Sequence, residues 1–292
     1  MAGVRGYELF DVTLLRRQAL SPALGRFTFG GPDVARMKTC AADQRIKIFF
    51  PDAAGRTPSL PHEGWQALYQ ALDPAKRWPR RTYTIRQLAH GELDIDFVLH
   101  GASGPASRWA IGAVPGDRLQ IVAPNAAFAG DPGGYEWRPP QKLERLLLIA
   151  DETALPAVAG ILEGLAGAAP RGEVFLEVPS AEDRIALAAW PGLALHWLPR
   201  GDGEPGRLMV EAAREAYLPK GLVDAGTALP EVDPDGAILW DVSPAGASGF
   251  HAWVAGEAAA VKDIRSLLIQ ERGLDRRCVN LMGYWRNGRA LE

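Results

Sequence analysis

The feature that most constrains the fold is a change in hydrophobic periodicity partway along the chain. Ahead of residue 125 the apolar residues fall in short runs broken by turns: ELFDVTLLRR, GRFTFGG, RIKIFFP, RTYTIRQL, ELDIDFVLHG and DRLQIVAP. Short strands with turn residues between them predict an antiparallel barrel or sandwich. Residues 130–142, GDPGGYEWRPPQK, carry the density of Gly and Pro expected of a linker. Beyond them strands and helices alternate. LERLLLIA reads as a buried strand, and LPAVAGILEGL as a helix with Pro156 in its first turn. GEVFLEVP, LALHWLPR, FHAWVAGE and CVNLMGYW read as further strands. EDRIALAAW reads as a short helix, RLMVEAAREAY as a longer one. In EAAAVKDIRSLLIQERG, residues Val261, Ile264, Leu267 and Leu268 share one helical face, and Gly273 supplies a stop. Alternation of this kind predicts a parallel sheet with crossover helices. The expected chain is an α+β two-domain protein: a β-barrel over residues 1–130, a linker over 131–142 and an α/β domain over 143–292.

The charge and composition narrow the function classes. With 292 residues, 47 % of them hydrophobic, the chain can bury two ordinary cores. A net charge of −3 gives no overall basic field for nucleic acid or an anionic membrane. Cys40 and Cys278 lie far apart and form no disulfide framework, which suits a reducing cytoplasm. The first residues, MAGVRGYELFDV, lack the apolar run of a signal peptide. The most apolar stretch, LPAVAGILEGLAGAAP, is interrupted by Glu163 and too short to span a bilayer. A soluble cytoplasmic protein without stable membrane association is expected. The histidines, at 62, 90, 100, 196 and 251, show no metal-ligand spacing, and no GxSxG elbow occurs, so neither a protein-bound metal nor a serine hydrolase is expected.

Several local patterns suit anionic ligands. In RRTYTIR, Arg81 and Tyr83 share a strand face while Thr84 points the other way. A guanidinium, a ring and a hydroxyl so placed could hold a flat anionic ligand, or simply form a solvated edge strand. In HGASGPASRWA a glycine-rich turn opens a helix after a strand, an anion cradle or a plain loop capped by Ser107. In ADETALPA the end of the first α/β strand meets a helix N-terminus, where Thr153 could line a nicotinamide pocket, or Asp151 or Thr153 could merely cap. GDGEPG, residues 201–206, formally matches GxGxxG. It follows the third α/β strand rather than the first, and Asp202 and Glu204 would repel a pyrophosphate, so it reads as a solvated loop.

Taken in order, IKIFFP, RTYTIR, DFVLHGASGPASRWA, PGDRLQIVAP, ADETALPA, WVAGEAAAVKDIRSLL and GYWRNG resemble the siderophore-interacting protein family, the ferric-siderophore reductases of the ferredoxin-reductase-like superfamily. The resemblance implies an N-terminal antiparallel β-barrel that binds FAD and a C-terminal α/β domain that binds NAD(P)H. It implies FAD contacts from Arg81, Thr82, Tyr83 and Thr84, with Arg81 on the pyrophosphate, Tyr83 against the flavin and ribityl, and Thr84 near the reactive edge. His100 and Gly101, then Gly104, Ala106 and Ser107, match its second phosphate-binding turn. Asp151, Glu152 and Thr153 match the nicotinamide turn. Ser180, Arg184 and Arg200, near the next two strand ends, could meet a 2′-phosphate. Lys47 and Arg286 match basic positions suited to an anionic ferric siderophore.

The implied reaction runs from NADPH or NADH through FAD to the chelated iron, and reduction to Fe(II) loosens the grip of hard oxygen donors. Ferredoxin is an alternative donor. Two rival readings are a general NAD(P)H:flavin oxidoreductase or electron-transfer protein, and a siderophore carrier without turnover. Two segments depart from the family pattern: DPGGYEWRPPQ is long, and LWDVSPAGASGFHAWVAGE adds an apolar segment and a small-residue loop, read here as a hairpin.

Overall fold

The computed structural model describes residues 4–99, 101, 104–219, 239–242 and 249–288. The chain divides into two compact units, residues Met1–Tyr135 (with Glu292) and Glu136–Leu291.

The first unit contains β1 (Tyr7–Ser21), β2 (Leu24–Gly30), β3 (Arg45–Phe49), α1 (Trp65–Ala71), β4 (Arg80–Thr84), β5 (Gln87–Ala89), β6 (Glu92–Val98), α2 (Pro105–Gly112) and β7 (Arg118–Pro124). The strands form one antiparallel sheet ordered β4-β3-β7-β1-β2-β6-β5. RTYTIRQL, expected as one strand, is therefore two, and they occupy opposite edges of the sheet. Laid flat, those edges would stand about 29 Å apart at the usual strand spacing. Ile85 and Arg86 join them, a connection that reaches only about 11 Å. The sheet must curl, and the backbone shows the closure. Ile85 N–H donates to Gln44 O and Arg86 N–H to Asp94 O, at 2.8 and 2.9 Å. Inward residues such as Phe10, Phe29, Ile48, Phe97 and Ile121 fill the half-barrel, and α2 plugs it with Ala106, Ala110 and Trp109. A second cluster, Leu9, Phe49, Leu60, Trp65 and Val122, packs α1 onto the outer face and carries Tyr69 and Trp78 with it.

The second unit contains β8 (Arg145–Ala150), α3 (Leu155–Leu165), β9 (Arg171–Val178), β10 (Leu193–Pro199), α4 (Arg207–Glu215), β11 (Trp240–Asp241), β12 (Phe250–Glu257), α5 (Ala258–Arg265) and β13 (Val279–Trp285). The sheet order is β10-β9-β8-β12-β13-β11, parallel except for the short edge strand β11. All eight residues of β12 are buried, as expected of a strand covered on both faces. This is the fold class that the periodicity predicts, a β-rich half followed by a parallel α/β half.

Three local expectations need correction. EDRIALAAW is not a helix: a single 3₁₀ turn, Ala181–Asp183, ends at Arg184 in an extended conformation. Residues 184–190 are exposed or half-buried throughout, so no apolar stripe stabilises a helix there. The helix after β12 stays α only to Arg265 and continues as a π turn, Ser266–Glu271, before Gly273 stops it at φ 69°. The expected hairpin before β12 is replaced by pairing of β11 with β13, while β12 pairs with β8 and β13. Residues 243–248 of that segment lie outside the described residues.

Residues 131–142 are bonded at their start and middle. Gly133 O accepts from Tyr7 Oη and Gln44 Nε2, and Gly134 O from Arg45 N–H. Gly134, at φ 76°, leaves no room for a side chain, because a Cβ there would lie 1.9 Å from Tyr7 Oη. On the far side Glu136 O accepts from Asn280 Nδ2 at 2.6 Å, and Trp137 packs edge-on against His251.

Candidate functional site

In the first unit the β3–β4 register sets which side chains share a face. Ile46 pairs with Tyr83 and Ile48 with Arg81, so Arg81 and Tyr83 stand on the face of those core isoleucines. Tyr83 packs on Phe97, centroids 4.3 Å apart, and this burial pushes its hydroxyl pKa up. Lys47 pairs with Thr82 on the opposite face, where its Nζ donates to Thr82 Oγ1 at 2.8 Å. Burial, then the neighbouring Arg80 and Arg45, pull the Lys47 pKa down. Thr84, on the same face as Thr82, is buried.

Beside β4 lies a pocket of about 590 Å³. Arg77, Arg80, Arg81 and Arg108 line it, with Tyr69, Trp78, Trp109, and Pro105 at the start of α2. Its one acid, Asp52, is paired with Arg56. Arg77 and Arg80 both stack over Tyr69, and Arg77 also donates to Leu72 O and Gln70 O. Arg81 donates to Arg80 O at 2.8 Å. Two features ask for a ligand. Among the described residues Arg80 Nε is buried without a hydrogen-bond partner, and none places a side-chain cap on α2 after Gly104. Guanidinium groups and free N–H groups at a helix start suit a pyrophosphate, and the aromatic walls suit stacked rings, so these residues fit FAD. Ser107 and the buried Ala106 lie in the first turn of α2, and Gly101 adopts φ 64°. His100 lies outside the described residues.

Sequence reasoning missed Tyr69, Arg77, Trp78, Arg80, Arg108 and Trp109. The motif KRWPR and the pair after Ser107 carried a signal, basic residues interleaved with tryptophan, but only packing shows that they face one pocket.

In the second unit the expected nucleotide residues gather at the carboxyl edge of the parallel sheet, after β8, β9 and β10. Asp151 is buried there. Its Oδ1 accepts from Thr153 N–H and Thr153 Oγ1, and its Oδ2 from Glu257 N–H and Trp285 Nε1. Burial and the adjacent Glu152 push its pKa up to about 7, against the pull of those donors. Glu152 binds Arg200 through both carboxylate oxygens, at 2.6 and 2.7 Å, and Arg200 also lies 3.6 Å from Glu177. A 2′-phosphate would have to displace two carboxylates to reach Arg200. Ser180 is taken up by Asp183, which accepts from both its N–H and its hydroxyl. Arg184 is exposed.

Glu177 closes off the end of GDGEPG. Its carboxylate accepts from Gly206, Leu208 and Met209 N–H, so a protein carboxylate already fills the anion position at the start of α4. Elsewhere in the first unit Asp11, Asp33 and His62 each bring one donor atom within 4.8 Å of the others, a grouping that no sequence spacing reveals. Gln120 and Arg36 already bond the two carboxylates.

Residues 13–128 match the family model described as a siderophore-interacting FAD-binding domain, and residues 143–288 match that described as siderophore-interacting protein. An uncharacterised protein of Mycobacterium tuberculosis is 32 % identical over 297 residues, covering 100 % of this chain and 94 % of its own length. Ferric vibriobactin reductase ViuB of Vibrio cholerae is 28 % identical, covering 95 % of this chain and 89 % of its own. The crystal structure of a siderophore utilization protein from T. fusca superposes with a TM-score of 0.74 at 28 % identity, covering 99 % of this chain and 97 % of that one. With both of its units matched in order by these family models, the chain belongs to the siderophore-interacting protein family.

Proposed function

We propose that this protein is a FAD-dependent reductase that takes electrons from NADPH or NADH and releases iron from ferric siderophores as Fe(II). The observation that carries the reading is the four-arginine aromatic pocket, with its partnerless Arg80 Nε and uncapped α2 start. The similarity to a protein named ferric vibriobactin reductase supports the choice of substrate. FAD bound there would supply the change from a two-electron hydride donor to one-electron steps.

The protein's own part is positioning. Arg80, Arg81 and the α2 N–H groups hold the pyrophosphate, Tyr83 offers a ring face, and Thr84 hydrogen-bonds near the reactive edge. The turn from Asp151 to Thr153 receives the nicotinamide. Lys47 and Arg286 attract the anionic chelate without touching iron, which arrives with its own ligands. The division of labour follows residues 1–130 for FAD and 143–292 for the nucleotide. Among the described residues no helix is long and apolar enough to cross a membrane, and we assign the protein to the cytoplasm.

The test is anaerobic. The flavin-loaded protein is titrated with NADPH, NADH or reduced ferredoxin, and then mixed with a ferric triscatecholate and an Fe(II) indicator. Bleaching of the flavin by a nucleotide, then its reoxidation with Fe(II) appearing, is the expected result. Bleaching without iron release would point to a general oxidoreductase. Chelate binding by a protein that retains no flavin would point to a carrier.

A further inference from the structure

We propose that Asp151 and Glu257 are positioning residues that fix Arg286 for the incoming chelate, a role that rests on the substrate reading of Arg286 above. Trp285 and Asn287 flank that arginine. The Trp285 indole N–H donates to Asp151 Oδ2 at 2.7 Å, and Asn287 N–H donates to Glu257 Oε1 at 3.1 Å. Both carboxylates are buried, at 1 % and 4 % exposure. The two are also joined, because Glu257 N–H donates to Asp151 Oδ2 at 2.8 Å. The other Glu257 oxygen caps α5 through Ala259 and Ala260 N–H, which ties the clamp to a helix.

The residue types are chosen for this. Asp151 accepts from four donors on three elements: Thr153 N–H and hydroxyl after β8, Glu257 N–H at the end of β12, and Trp285 at the end of β13. The two oxygens of an aspartate can meet donors in all those directions, whereas an asparagine would turn an NH₂ toward one of them. Gly256 permits the approach, because a Cβ there would lie 2.6 Å from Asp151 Oδ2. A buried polar group is costly unless its hydrogen bonds are complete. Four filled acceptor sites meet that cost, and Arg286 is flanked by an anchored Trp285 side chain and an anchored Asn287 backbone N–H. A long cationic side chain on a fixed base loses less freedom when it meets an anion.

The experiment uses the full-length, flavin-loaded protein with Trp285→Phe, Glu257→Gln, Asp151→Asn and Arg286→Ala. Trp285→Phe keeps a ring and removes one N–H, so it preserves the fold even where Asp151→Asn does not. Two quantities are read, neither of them turnover. One is hydrogen exchange at residues 284–288, and the other is the dissociation constant for an anionic ferric triscatecholate and a neutral ferric trihydroxamate by equilibrium dialysis. We expect Trp285→Phe and Glu257→Gln to speed exchange there about tenfold and to weaken triscatecholate binding about tenfold, with the trihydroxamate hardly affected. If Arg286→Ala weakens triscatecholate binding while Trp285→Phe and Glu257→Gln change neither quantity, the positioning role is refuted and the substrate reading stands. If Arg286→Ala leaves binding unchanged, the substrate reading of Arg286 fails and the positioning role falls with it, however fast the exchange.

Discussion

Replacing Arg200 with methionine separates a structural arginine from a nucleotide-binding one. Its side chain is 10 % exposed and bonds both oxygens of Glu152, with Glu177 3.6 Å away. Those two carboxylates are 3 % and 0 % exposed. Methionine fills much of the same volume but leaves both acids buried without their cation. Removing one partner of a buried ion pair costs about 3–5 kcal/mol. A unit of this size melts about 2–4 °C lower per kcal/mol, so the second unit should melt roughly 6–20 °C lower. Exchange at the first amides of α4 should rise with it, because Glu177 caps that helix. Adding Glu152→Gln to Arg200→Met removes one uncompensated charge and should recover part of the loss. Thermal melts followed by exchange, together with steady-state KM values for NADPH and NADH, form the assay. The expected KM ratio is unchanged. An Arg200→Met protein that melts like the wild type, yet raises KM for NADPH alone by tenfold or more, would refute the structural account.

Arg81→Ala should weaken FAD binding. A charge-assisted phosphate contact is worth about 1.5–3 kcal/mol, or roughly one to two decades in dissociation constant. Full flavin retention by a correctly folded variant would remove Arg81 from the site. His251 is buried with both ring nitrogens unpartnered, and burial pulls its pKa down from 6.5 to about 4. The folded state therefore holds it neutral while the unfolded chain takes a proton. Its contribution to stability is complete above about pH 6.5 and falls by about 1.4 kcal/mol per pH unit toward pH 4. His251→Phe should flatten that acid slope relative to the wild type, and denaturant midpoints between pH 4 and 7 that fall equally in both proteins would contradict it.

Much of the fold was legible because strand and helix patterns depend on near neighbours. The period-two runs, the strand–helix alternation and the stop at Gly273 are all properties of a few consecutive residues. So is the pairing of Arg81 with Tyr83 on one face. The RTYTIRQL segment shows where this ends. Its composition is that of one strand, and only the order of the curled sheet separates it into two edges joined by Ile85 and Arg86. EDRIALAAW has helix-forming residues, but residues 184–190 stay exposed or half-buried, with no fully buried stripe to hold a helix.

The site divides in the same way. The motifs RTYT, GPAS and ADET mark where ligands are expected, and they are local. Their partners are not. Arg200 meets Glu152 across 48 positions of sequence, and Trp285 meets Asp151 across 134. The sequence by itself determined which turns carry charge and which runs become strands. The tertiary structure decided which charges are left for a ligand: Arg200 is neutralised by two carboxylates, while Arg80 keeps a partnerless N–H in a pocket. The reason is physical. An ion pair or a pocket wall is a property of distance in space, and strand order sets that distance independently of separation along the chain.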